Sequence, residues 1–242
     1  EVIAMEGPQT IAAMVLEPVP GTNGVLPFVP GYLRDLKALL SRHGILMICD
    51  EVMTGFGRTG PMFAVQHDDV VPDMMTLAKG ISGAHLPFGA VAVSDAIAAH
   101  FEDHVLWGGL TCNAYPLGLA VAEEVLTVIR DEGVLENVRA RGEQLAAGLD
   151  ALVAKHAVVE TARSVGLLGM VDLVPHGEGA LAAFNQTHPH LPALKAALRR
   201  LGLVTFARWR HVCCMPPLVI SEAELAQGLQ ILDAALSELP TN

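Results

Sequence analysis

The sequence predicts an α/β fold, and three patterns carry that expectation. Apolar runs of strand length alternate with helical periodicity through the N-terminal half. Two of those runs end abruptly in charged residues, one at Asp50-Glu51 and one at Lys79. Beyond residue 113 the pattern turns strongly helical, and then short strand-like and helical segments mix. Strands that alternate with helices form mainly parallel sheets, whereas a mixed tail reads as a smaller α+β portion. The expected division is 1–133 for the first portion and 134–242 for a linking helix and a small C-terminal domain.

The elements follow in order. Residues 10–16 read as a buried strand that stops at Glu17-Pro18, and a Gly/Pro/Asn loop covers 20–30. Residues 31–43 have helical spacing, with Leu33, Leu36, Leu39 and Leu40 on one face. Gly44 breaks the helix and a strand follows over 45–49, which predicts parallel strands joined by a right-handed crossover. Residues 51–60 form a loop rich in Gly and Thr. Strands are expected over 74–78 and 88–93, with a loop at 80–87 between them and a helix over 95–101 started by Ser94. From Asn113 onward, Ala120, Val121, Val125, Val128 and Ile129 form an apolar helical stripe, and a second helix runs from Gly133 to about 154. Strand-like runs fill 159–174 around Gly166 and Gly169. Residues 175–192 read as a loop, 193–201 as a helix, and 203–206 and 211–215 as strands. Ser221 with Glu224 three residues on is a capping box that starts the last helix.

Composition removes several classes of function. With 242 residues and 52% apolar side chains there is ample material for a core. A net charge of −11, with only 15 Lys and Arg, argues against nucleic acid and against anionic membranes, both of which need a basic footprint. No stretch reaches the length of about 18 apolar residues that spans a bilayer, and the N-terminus lacks the pattern of a signal peptide. Four cysteines (Cys49, Cys112, Cys213, Cys214) make no CxxC pair and read as reduced thiols of a cytoplasmic protein. His188-Pro189-His190 lies in a Pro-rich stretch and reads as a solvated loop, so no metal site is expected.

The charged strand ends are the chemical signal. Ligands of open α/β sheets sit outside the carboxyl ends of the strands. An amine and a carboxylate there are the pair needed to hold pyridoxal phosphate, the amine as a Schiff base and the acid against the pyridinium nitrogen. Taken singly, Lys79 also reads as a surface lysine and Asp50 as a turn cap. Thr111 suits an N-cap for the helix near Asn113. Arg208 competes with Arg210 for any anion-binding role, and Trp107 either lines a pocket mouth or packs there. Glu17, Glu51 and Arg58 read as structural.

Several motifs occur together: Asp50-Glu51-Val52, Thr54 through Gly60, Pro72-Asp73, Lys79-Gly80, Pro87-Phe88-Gly89-Ala90, and Gly108-Gly109-Leu110-Thr111 with Asn113. Their combination resembles the class III pyridoxal-phosphate-dependent aminotransferases over nearly the whole chain. Gly21-Thr22-Asn23-Gly24, Thr205 through Trp209 and Pro216-Pro217-Leu218 resemble the omega-aminotransferase branch, closest to taurine–pyruvate aminotransferases. The resemblance implies a partial fold type I large domain followed by a small C-terminal domain, and a homodimer. It implies pyridoxal 5'-phosphate as cofactor, with Lys79 as the Schiff-base lysine, Asp50 on the ring nitrogen, Val52 against a ring face and Thr111 on the phosphate. Arg208 would bind substrate carboxylate. The chain begins where members of this family are already well advanced, and the portion before it normally supplies a Gly-Ser-rich phosphate turn and a stacked aromatic residue. Two functions follow as expectations: transfer of an amino group from an omega-amino donor to pyruvate or a similar keto acid, or a catalytically inactive half-chain that acts as a binding or structural domain.

Overall fold

The computed structural model of the chain describes residues 1–176 and 186–240. It divides into two compact units, residues 1–21 with 26–135, and residues 22–25 with 136–242.

The first unit is built on a four-stranded sheet: β1 (Ala13–Leu16), β2 (Leu46–Asp50), β3 (Met74–Leu77) and β4 (Ala90–Val93), in that spatial order. The first three strands are parallel and β4 is antiparallel to β3. A short helix, α1 (Val2–Glu6), precedes β1, and α2 (Tyr32–Arg42) makes the crossover from β1 to β2. Leu33 and Leu40 of α2 pack on Met47 and Cys49 of β2, with Val65 and Val70, to form this unit's core. Two carboxylates fix the geometry. Asp68 accepts hydrogen bonds from the Gly31 and Leu33 N–H groups at 2.8 and 2.9 Å, so α2 is capped from a distant segment. Asp73 accepts from Lys37 Nζ at 2.5 Å and from the Met47 N–H at 2.7 Å, which ties α2 and β2 to the start of β3. Burial alone would raise the pKa of Asp73, but these bonds outweigh it and hold the carboxyl below its ordinary range. Beyond β4 come α3 (Asp95–Asp103) and α4 (Pro116–Asp131).

Helix α5 (Val134–Lys155) leads into the second unit, whose sheet is antiparallel with strand order β5-β6-β8-β7. These strands are β5 (Val159–Val165), β6 (Leu168–Leu173), β7 (Ala207–Arg208) and β8 (His211–Cys214). Helices α6 (Leu191–Arg200) and α7 (Glu222–Ser237) complete it. Every residue of β6 is buried, and Leu145, Leu149, Leu194, Leu198 and Leu236 fill the space around the sheet. The Ser221 hydroxyl accepts from the Glu224 N–H and the Glu224 carboxylate accepts from the Ser221 N–H, which is the expected capping box.

Several expectations need correction. β1 is shorter than 10–16 and is not buried, because it is an edge of the described sheet and Val15 is 63% exposed. Residues 203–206 are no strand. Val204 and Phe206 point outward, and the Leu203 N–H closes the end of α6 by bonding Leu198 O. Helix α6 starts at Leu191, so Pro192 belongs to its first turn, and residues 177–185 of the expected loop lie outside the described residues. His188 is buried rather than solvated: its backbone N–H bonds Trp209 O at 2.8 Å, and its ring contacts those of His176 and His190. In the helix after Asn113, Ala120 is exposed and the buried positions are Gly118, Ala122 and Ile129.

Candidate active site

Asp50 is the last residue of β2 and pairs in register with Thr76 of β3. Its carboxylate accepts the Val52 N–H at 2.9 Å, so the acid fastens the turn that follows it. Lys79 lies three residues beyond Thr76, after β3 has ended at Leu77. At a rise of about 3.3 Å per residue and a strand spacing of about 4.8 Å, a straight continuation of β3 would place the α carbons of Asp50 and Lys79 about 11 Å apart. Both residues therefore stand at the carboxyl ends of two adjacent parallel strands.

The backbone at Lys79 is unusual. Its φ of 48° is in the left-handed region, which costs an L-residue of order 1 kcal/mol. The turn is held by neighbours. Lys79 O accepts from the Ala84 N–H, and the Ser82 hydroxyl donates to Leu86 O at 2.7 Å. Gly80 is required by close approach, since a Cβ there would stand 2.9 Å from Phe56 Cβ. Phe56 in turn is buried and meets Phe63 edge-on at 5.6 Å. The Gly-rich loop 51–60 is thereby packed directly behind the lysine turn.

Glu51 anchors that loop. It is fully buried, and its carboxylate accepts from the Thr54 hydroxyl and from the Val65 N–H. Burial pushes its pKa up, with the hydrogen bonds from Thr54, Val65 and Ala64 opposing the shift. Glu17 is structural too, accepting the Gly21 N–H at 3.0 Å. Arg58 is lowered by burial to about 10.

The other candidates are placed as follows. Val52 is half-buried in the turn after Asp50. Thr111 is exposed in a turn and does not cap the helix, which begins at Pro116 with Tyr115 as its N-cap, because four residues separate the two. Trp107 is 94% exposed and so does not pack within this chain. Arg208 belongs to the other unit, where its guanidinium lies 4.2 Å from the centre of the Trp209 ring. Arg210 is spent on Glu160 and on Leu173 O, so of the two arginines only Arg208 lacks an ion pair among the described residues. No group of described residues is arranged to hold a metal ion. No helix among them is long and apolar enough to cross a membrane.

Sequence reasoning missed Thr76. Its hydroxyl oxygen is buried without a hydrogen-bond partner, and its strand position is opposite Asp50. Opposed residues share a face of the sheet. The only available signal was a hydroxyl standing alone in the apolar run Met74-Met75-Thr76-Leu77-Ala78.

Residues 1–236 match the model of the family described as aminotransferase class III. The chain belongs to the class III aminotransferases. This family depends on pyridoxal phosphate, and the fold is that of its fold type I members. The chain is 39% identical over 95% of its length to acetylornithine aminotransferase 2 of Bordetella parapertussis, covering 54% of that protein. It is 33% identical over 99% of its length to the taurine–pyruvate aminotransferase of Rhodobacter capsulatus, covering 54% of it. Among solved structures, the taurine:2-oxoglutarate aminotransferase of Bifidobacterium kashiwanohense, in complex with pyridoxal phosphate and glutamate, superposes with a TM-score of 0.91 at 38% identity. That likeness covers 98% of this chain and 53% of the other. The chain thus spans about half the length of the relatives it matches, and those relatives take different amino donors.

The residues present fit the cofactor's ring. A carboxylate and an exposed primary amine share one sheet edge, and a buried hydroxyl without a partner faces the same side as the carboxylate.

Proposed function

We propose that this chain carries the lysine-bearing part of an aminotransferase that moves an amino group from an omega-amino donor (an amine, taurine or β-alanine type) to pyruvate or a similar keto acid. The observation that supports this most strongly is that Asp50 and Lys79 follow one another at the carboxyl ends of the adjacent parallel strands β2 and β3, with the 51–60 loop packed behind the lysine turn. On this reading residues 1–133 belong to the large domain, 134–242 supply a linking helix and small domain, and the protein works as a cytoplasmic homodimer.

Bound pyridoxal phosphate supplies the electron-withdrawing ring on which nitrogen is carried between the two substrates. Asp50 would stand against the ring nitrogen, where a neighbouring carboxylate favours the positively charged ring. Lys79 Nζ would hold the cofactor and would serve as general base and then general acid for the substrate's proton. Its left-handed turn holds the amine at the strand end with few alternative backbone positions. Val52 would pack against the ring, Thr111 would bind phosphate, and Trp107 would line the mouth of the substrate pocket. Arg208 receives the substrate carboxylate, to which a planar guanidinium bonds through two parallel N–H groups.

The test is spectroscopic. The protein incubated with pyridoxal phosphate is expected to turn yellow, and borohydride reduction should leave a stable adduct on the peptide containing Lys79. Lys79→Ala should lose the colour, the adduct and turnover. A variant that keeps the adduct overturns the role given to this lysine, and a wild-type protein that stays colourless favours the inactive half-chain.

A further inference from the structure

The face of the second sheet that carries Arg208 is crossed by a row of polar residues that the family likeness does not explain. Thr161 of β5 pairs with Asp172 of β6, Asp172 pairs with His211 of β8, and His211 pairs with Arg208 of β7. Residues directly opposed across strands share a face, so the row lies on one side of the sheet. Its members are joined by short bonds. His211 Nδ1 lies 2.6 Å from Asp172 Oδ1, and Arg163 Nη1 donates to Asp172 Oδ2 at 2.8 Å. Arg163 Nε donates onward to Gly24 O at 2.6 Å and Val25 O at 2.9 Å. Asp172 is 3% exposed. Burial works against its charge, but the bonds from His211 and Arg163 prevail and hold its pKa below the ordinary carboxylate range.

At the other end of the row, the Trp209 ring meets His211 edge-on, with centroids 6.1 Å apart and planes at 75°. The Arg208 guanidinium rests on that same indole. Trp209 itself has a φ of 57°, a left-handed conformation that an aromatic residue keeps only when its surroundings over-determine it. Contacts therefore run without a break from the Gly24 and Val25 carbonyls through Arg163, Asp172, His211 and Trp209 to Arg208. Arg210 takes no part in this row, because Glu160 and Leu173 O hold it.

We propose that Asp172 and His211 are positioning residues for Arg208: they fix the indole of Trp209, and that indole sets where the carboxylate-binding guanidinium lies. This rests on the carboxylate-binding reading of Arg208 given above. The two arginines of the row have different duties. Arg163 braces the carboxylate from behind. Arg163 and Arg208 thus differ in that, among the described residues, Arg208 has an aromatic face where Arg163 has an acid.

Trp107 and Trp209 are the only tryptophans, so a protein labelled with 15N-tryptophan shows two indole resonances, and Trp209→Phe identifies which is which. Arg208→Gln then gives the position of the Trp209 signal without the guanidinium. Asp172→Asn and His211→Phe are each expected to move the signal toward that position. In the holoenzyme both should raise KM for the keto acid about tenfold with kcat changed less than about twofold, the cost of a misplaced binding group. Asp172→Glu should restore both readings. A Trp209 signal that stays put in both Asp172→Asn and His211→Phe overturns the proposal, as does a fall in kcat with unchanged KM. His211→Phe keeps the test decisive if Asp172→Asn fails to fold. If Arg208→Gln itself leaves the keto-acid KM at the wild-type value, the carboxylate reading of Arg208 is what fails, and the indole signal still judges the row.

Discussion

The two sheets bury their apolar residues in opposite ways. In the second unit β6 is buried at every position, closed in by the strands on either side and by leucines of α5, α6 and α7. In the first unit the outer strands β1 and β4 leave Val15, Val91 and Val93 at 63%, 62% and 44% exposure. The same residue types thus do different work. The second sheet is stabilised by its own core, whereas the first holds its shape through β2, α2 and the two carboxylates Asp68 and Asp73, and keeps apolar surface open.

Truncations to alanine should separate the two most sharply. Leu168→Ala in β6 is expected to cost about 2–5 kcal/mol, since it leaves a cavity in a closed core. Val91→Ala in β4 should cost less than about 0.5 kcal/mol. Hydrogen exchange resolved by segment reads each unit separately, and similar costs would mean that β4 is covered after all.

A pair of glycines within the second unit sharpens the point on a finer scale. A Cβ at Gly142 of α5 would lie 2.9 Å from the Gly166 α carbon, where both partners are backbone and neither yields. Gly142→Ala should therefore destabilise by about 1–3 kcal/mol, although alanine is the better helix former. A Cβ at Gly228 of α7 meets nothing within 4 Å, and Gly228→Ala should stabilise by about 0.5–1 kcal/mol. Thermal unfolding of both variants decides it, and a loss at Gly228 would show that the helix needs that space.

The smallest effect is the response to acid. Asp172 has a lowered pKa in the fold, so its contribution is present above the unfolded value of about 3.9 and is lost as pH falls through the folded one. Glu51 is raised, so its contribution is present below the unfolded value of about 4.3 and is lost as pH rises through the folded one. Exchange at the Val65 N–H, which Glu51 binds, should slow as pH is lowered from neutrality once intrinsic rates are removed. The β6–β8 amides should lose protection only below about pH 4. Glu51→Gln should flatten the first response without touching the second.

Local signals carried most of what the sequence revealed. The capping box at Ser221 depends on residues three apart, and the parallel β1–β2 pair depends on a helix that lies between its strands. Asp50 and Lys79 were visible because charge at the end of an apolar run is rare enough to notice. What stayed hidden depended on distant partners. Nothing near Gly31 announces that Asp68 caps the helix there, and nothing near His188 announces that the Trp209 carbonyl draws it inward. Periodicity also could not tell an edge strand from a buried one, which is why β1 read as core. The hydroxyl of Thr76 looked like filler in an apolar strand until the register set it opposite Asp50.

The left-handed residue at Lys79 has a consequence for how such a site tolerates change. Along β3, side chains alternate between faces, so inserting one residue upstream would exchange the environments of every position in the strand. The turn at Lys79 is attached to the end of that strand and locked by Phe56 against Gly80, so an insertion upstream would be tolerated only where a bulge absorbs it and leaves those contacts in place.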